Sequence, residues 1–115
     1  MTTQETTEKI LEIIADKKAL NVKIHDLRER PGAPADFAIV ATANSSPHLK
    51  ALSGAVQREM RKLGGGASRT SGDSESAWIV VDFGDVMAHF FLADAREYYE
   101  LEKIWTRPAP VSATN

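Results

Sequence analysis

The chain has 115 residues, 43% of them apolar and 26% charged, with a formal net charge of −2. That length accommodates one domain with a sizeable core and not two, and the composition argues against wholesale disorder. The chain contains no cysteine, which excludes disulfides, thiolate metal sites, Fe–S ligation and a cysteine nucleophile.

The first residues, Met1 to Glu5, have neither the basic segment nor the apolar stretch of a signal peptide. No apolar run reaches the ~18 residues of a membrane span. The expectation is a cytoplasmic protein with no membrane partner. A helix is predicted over residues 5–19, where Ile10, Leu11, Ile13 and Ile14 form one stripe and Glu8, Lys9, Glu12 and Asp16 lie off it. Thr2 and Glu5 have capping-box spacing. Val22 to Leu27 reads as a strand with one wet face, since Val22 and Ile24 alternate with Lys23 and His25. Pro31, Gly32 and Pro34 punctuate a loop over residues 28–34. The continuous apolar run Phe37 to Ala41 predicts a strand buried on both faces.

Ser46 as N-cap and Pro47 at the first helical position open a second helix. Its apolar face is Leu49, Leu52, Val56, Met60 and Leu63, and Gly64 fits the C-terminal cap. Gly64 to Ser76 reads as a mobile Gly/Ser-rich connection. Two strands follow, Trp78–Phe83 and Val86–Leu92, joined by Gly84-Asp85 in a tight hairpin turn that opens with glycine. Asp94-Ala95-Arg96-Glu97 has the spacing of a capping box for a last helix reaching about Trp105. Pro108 and Pro110 cannot continue it, so residues 107–115 are expected to form a loose tail behind a single domain over residues 1–106. This order predicts an α/β fold, a mixed β-sheet packed with helices.

Charge is unevenly distributed. Residues 1–71 carry 11 basic and 8 acidic side chains, whereas residues 72–105 carry 2 basic and 8 acidic, a net −6 that also contains both Trp and both Tyr. An acidic surface with aromatic anchors suits a basic partner; a merely solvated acidic face is the competing reading. The overall balance disfavours a general phosphate-backbone binder.

A tight turn at Gly84-Asp85 pairs Phe83 with Val86, Asp82 with Met87 and Val80 with His89. Opposed residues share a face. One face is then Ile79, Val81, Phe83, Val86, Ala88 and Phe90, all apolar, and reads as core. The other is Trp78, Val80, Asp82, Met87, His89 and Phe91. Two readings of this second face stay open: a second core layer with a satisfied Asp82–His89 pair, or a docking surface anchored by Trp78.

Chemistry is poorly supported. Asp82, Asp85 and His89 offer carboxylates that need not converge, and His25, His48 and His89 fall on separate elements, so no metal site is expected. Gly64-Gly65-Gly66 lacks both the spacing and the Lys-Ser/Thr ending of a phosphate loop. No nucleophile has a positioned base. The expectation is a protein that is not an enzyme and uses no cofactor.

Residues 78–86 read Trp-Ile-Val-Val-Asp-Phe-Gly-Asp-Val, followed by His89 and by Arg96-Glu97-Tyr98-Tyr99-Glu100-Leu101-Glu102-Lys103-Ile104-Trp105. This pattern resembles the ribosomal silencing factor family, also called Iojap-like. Asp36–Val40 is similar to the family's second strand, and Asn44–Leu49 to its small-residue turn into the long helix. The resemblance covers roughly residues 6–106. Pro47 departs from it, since the family commonly has Arg there, and Ile104 replaces the usual Leu.

The resemblance implies a nucleotidyltransferase-like fold without the catalytic carboxylates. It implies a translational repressor that binds a basic large-subunit ribosomal protein, of the L-fourteen type, at the intersubunit face. Occupying that face blocks subunit joining when nutrients are scarce. It further implies a homodimer when free and no sequence-specific nucleic-acid binding. The residues it assigns to partner binding are Trp78, Asp82, Asp85, Met87, His89, Arg96, Tyr99, Glu102 and Trp105. The alternatives are a nucleotide-binding enzyme on the same fold, which needs a phosphate pocket near Asn44–Ser46, and a structural dimerisation module, which needs the Trp78 face buried between subunits.

Overall fold

The computed structural model describes residues 1–65 and 68–106. The elements, in chain order, are α1 (Thr3–Asp16), β1 (Leu20–Asp26), β2 (Phe37–Ala43), α2 (Ser46–Lys62), β3 (Arg69–Asp73), β4 (Trp78–Asp82), β5 (Val86–Leu92), α3 (Ala93–Tyr99) and α4 (Leu101–Thr106). The strands form one sheet in the order β1-β2-β5-β4-β3. β2 and β5 run parallel at its centre, and every other pairing is antiparallel. The mixed α/β sheet expected from the element order is therefore observed.

One sheet face packs on α1 and α2. Ile10, Ile13 and Ile14 of α1 and Leu49, Leu52, Val56 and Met60 of α2 meet Ile39, Ala41, Ile79, Val81, Val86, Ala88 and Phe90 in one core. At ~25 cal/mol per Å² of apolar surface removed from water, this cluster dominates the stability of the domain. The opposite face is crossed by α3 and α4. Ala38, Val40, His89 and Phe91 are buried on that side, which explains why β2 reads as a continuous apolar run: helices cover both of its faces.

Several local signals behave as expected. Thr2 and Glu5 form a reciprocal capping box, the Glu5 N–H donating to Thr2 Oγ1 at 3.1 Å and the Thr2 N–H to Glu5 Oε1 at 2.8 Å. The hairpin register is Asp82↔Met87 and Trp78↔Phe91, and Gly84 takes φ +90° at the turn, where a side chain is disfavoured.

Others differ. α1 ends at Asp16 rather than residue 19, because Lys17 caps it and Lys18 turns left-handed at φ 67°. The N-cap of α2 is Ser45, whose Oγ accepts the His48 N–H at 3.2 Å, so Ser46 and Pro47 both lie inside the helix. His48 ties this turn to α1: its Nδ1 accepts the Asn44 N–H and its Nε2 meets the Lys17 carbonyl at 2.7 Å. The expected linker contains strand β3. All five β3 residues are exposed, so the strand forms without the apolar alternation that marks a strand in sequence. Gly72 lets it close on β4, since a Cβ there would collide with the Trp78 carbonyl oxygen. The expected wet face of β1 is not simple. Ile24 is 49% exposed, whereas His25 is half-buried beneath α4. Asp94 does not cap the last helix: α3 starts at Ala93 with Leu92 as an N-cap that makes no side-chain bond. That helix also breaks at Glu100, which adopts the left-handed conformation at φ 52° and starts α4 in a new direction. The expected tail at residues 107–115 lies outside the described residues.

Candidate functional site

The face of the sheet under α3 and α4 mixes polar and aromatic side chains with apolar ones where the other is wholly apolar. At its centre, His89 on β5 is buried, only 4% exposed. Its Nδ1 accepts the indole N–H of Trp78 at 3.1 Å. Burial pushes the His89 pKa down to about 4, with nearby His25 adding to the shift and the Asp82 carboxylate opposing it. His89 is therefore neutral near pH 7. The sequence left open a satisfied Asp82–His89 pair. The structure instead gives His89 to Trp78, while Asp82 Oδ1 accepts the Gly84 N–H at 2.7 Å and shapes the hairpin turn.

Aromatic rings continue outward from His89. Trp78 stacks on its register partner Phe91, with centroids 4.9 Å apart, and meets Tyr99 of α3 at 4.8 Å. Trp105 of α4 covers His89 at 5.6 Å and His25 at 5.3 Å. Tyr98 packs edge-on against Tyr99 yet remains 81% exposed. Between β3, β4 and α4 these rings leave an open groove of about 740 Å³. Trp78, Asp82, Met87, His89, Leu101 and Trp105 line it, with Arg69 on the β3 side.

A polar chain holds the strap over the sheet. Arg96 of α3 donates from Nη1 to the Asn21 carbonyl at 2.7 Å and to Thr42 Oγ1 at 2.9 Å, and from Nε to Glu102 Oε1 at 2.6 Å. Glu102 Oε2 lies 2.9 Å from His25 Nε2. Burial works to raise the Glu102 pKa, but the bonds from Arg96 and His25 outweigh it and hold the carboxyl below its ordinary value. Arg30 Nη2 donates to the Ile104 carbonyl at 2.6 Å and fixes the far end of α4.

Of the nine residues singled out in the sequence, five converge on the groove: Trp78, Asp82, Met87, His89 and Trp105. Tyr99 extends it through Trp78. Arg96 and Glu102 stand beside it as the clasp on the strap. Asp85 does not join them. Its carboxylate accepts from Thr3 Oγ1 at 3.2 Å, against the start of α1. Sequence reasoning missed His25, Thr42 and Leu101 as site-forming residues. Arg96 and Glu102 are six apart, a spacing at which a continuous helix does not pair side chains, so the break at Glu100 that joins them hid the clasp. Among the described residues no group of three or more His, Asp or Glu could hold a metal ion, and no helix is long and apolar enough to cross a membrane.

The family model described as "Ribosomal silencing factor during starvation" matches residues 1–114. A ribosomal silencing factor RsfS of Halalkalibacterium halodurans is 30% identical over 105 residues, covering 91% of this chain and 89% of that one. A mouse protein named for mitochondrial assembly of the ribosomal large subunit is 31% identical over 74 residues, 62% of this chain and 32% of its own length. A crystal structure of a Chromobacterium violaceum protein superposes with a TM-score of 0.86 at 30% identity, covering all of this chain and 95% of that one. The chain belongs to the ribosomal silencing factor family.

Proposed function

We propose that this silencing-factor family member docks its Trp78 groove on a basic protein of the large ribosomal subunit at the intersubunit face, and so blocks joining of the small subunit. The observation that carries the reading is the convergence of Trp78, Asp82, Met87, His89 and Trp105 on one open groove, in the stretch of chain where acidic residues outnumber basic ones 8 to 2. Half-exposed aromatic rings beside a carboxylate suit the apolar stem and charged head of Lys or Arg. The partner is the protein of L-fourteen type that the family resemblance implies. A protein bound there represses translation by steric exclusion, with no chemical step and no cofactor. The reading includes a homodimer for the free protein and action in the cytoplasm, both taken from the family resemblance.

Light scattering of subunit joining tests the reading. Adding the protein to isolated small and large subunits should lower the scattering increase in proportion to large-subunit occupancy. Unchanged joining at saturating protein would overturn it. Sedimentation with each subunit alone should show co-migration with the large one.

A further inference from the structure

The buried ring of His89 has one nitrogen accounted for and one not. Nδ1 is the acceptor for Trp78. A neutral imidazole whose Nδ1 accepts must carry its proton on Nε2. Nε2–H is therefore a donor. It is buried, and no hydrogen-bond partner for it exists among the described residues. Native proteins rarely leave such a group unpaired, because the lost water bond is not replaced. An apolar ring of the same shape would avoid that cost but leave the Trp78 indole N–H without its acceptor.

The surroundings of His89 indicate what acceptor fits. His89 lines the groove with Trp78 and Trp105 beside it and Asp82 on the same face. The charged side chains lining the groove are Asp82 and Arg69, so a phosphate or carboxylate drawn by Arg69 meets the Asp82 carboxylate on the same wall. A neutral carbonyl oxygen meets no such opposition, and cationic side chains on either side of it gain from the carboxylate and the indoles. Trp105, inclined 62° to the imidazole, is the neighbour on the α4 side. It belongs to a six-residue helix that follows the left-handed Glu100.

We propose that the groove admits an extended segment of the basic protein partner, and that a main-chain carbonyl of this segment accepts the hydrogen bond from His89 Nε2–H as Trp105 turns aside. This rests on the docking reading above. It adds the atom that fixes the register of the bound segment, because main-chain carbonyls recur at each residue and only one of them can reach a donor recessed in the groove.

Two substitutions separate the donor from the ring. His89→Phe keeps a flat ring and removes both the Nε2–H donor and the Nδ1 acceptor of Trp78. His89→Gln places an amide N–H near the position of Nε2. Binding to isolated large subunits is measured by sedimentation, with melting temperature measured on the same samples. The Phe variant should melt close to the wild-type temperature, because it removes the unpaired Nε2–H but also costs the Trp78 indole N–H its acceptor, and should bind about tenfold more weakly, the equivalent of one charge-free hydrogen bond. The Gln variant should recover most of that loss. Equal binding by wild type and His89→Phe, or equal loss in both variants, would overturn the inference. His89→Leu replaces the Phe variant should that chain not fold. Trp78→Ala in the same assay keeps the two proposals distinct. Loss of binding in Trp78→Ala with full binding in His89→Phe defeats the carbonyl contact alone. A wild-type protein that does not bind large subunits defeats both.

Discussion

The β4–β5 hairpin presents two faces that are used differently. Toward α1 and α2 it shows Ile79, Val81, Val86, Ala88 and Phe90, all buried in one apolar cluster. Toward α3 and α4 it shows Trp78, Val80, Asp82, Met87, His89 and Phe91, of which only His89 and Phe91 are buried. The first face is closed by two helices of 14 and 17 residues. The second is covered by two helices of 7 and 6 residues, clasped by Arg96, Glu102 and His25. The first face is organised for stability. The second tolerates a buried histidine and an open groove, features that cost stability and are useful for recognition.

The comparison breaks most visibly in a pair of truncations. Phe90 and Met87 are near neighbours on one strand, pointing to opposite faces. Phe90→Ala removes a fully buried ring from the closed face and should cost ~3–5 kcal/mol. Met87→Ala removes a partly exposed side chain from the groove and should cost less than ~1.5 kcal/mol, because less apolar surface is lost and water already reaches the site. Urea unfolding measures both. Similar costs would mean that the two faces are equally closed and that the groove is a core defect.

Acid sharpens the contrast. An unfolded histidine takes its proton near pH 6.5, whereas folded His89 resists it down to about pH 4, chiefly through burial. Between those values the unfolded chain binds more protons, so stability is full above pH 6.5 and falls as pH drops toward 4. The loss attributable to this group is at most about 3 kcal/mol. Glu102, held below its ordinary value, adds a second loss that starts only below about pH 4.5. His89→Phe should flatten the leg between pH 6.5 and 4 and leave the lower one. A variant with the wild-type slope would place the acid response elsewhere.

How far the sequence showed this division differs between the faces. The apolar face was legible but for Phe83, expected in the core and only partly buried beside the turn; strict alternation on a hairpin fixes which residues share a side once Gly84-Asp85 is recognised as the turn. The groove was legible only in part. Trp78 and His89 fall on its face by register, but their hydrogen bond is a diagonal contact that alternation does not specify. Trp105 and Glu102 reach the site through the left-handed Glu100, a residue type with no special claim to that conformation. β3 stayed hidden because its exposed residues, Arg69 to Asp73, carry a turn-like composition and are ordered by pairing with β4. Tertiary pairing overrode local propensity there.

The smallest expected effect isolates charge within the acidic segment. The sequence treats Asp82 and Asp85 alike, but only Asp82 lines the groove, and Asp85 turns toward Thr3. Replacing each by Asn removes the charge and keeps an acceptor for the local bond, which for Asp82 is the one from Gly84. If a basic partner approaches the groove, Asp82→Asn should slow association with large subunits about two- to threefold at low salt. Asp85→Asn should act less, and Glu8→Gln, on the exposed side of α1, less again. The difference should shrink as ionic strength rises toward physiological values, where the Debye length is about 8 Å and charges farther from the contact are screened. Stopped-flow association over a salt series gives the ordering. Equal effects from all three would mean that the partner senses only the net charge of the domain, and that the groove face has no electrostatic preference over the α1 side.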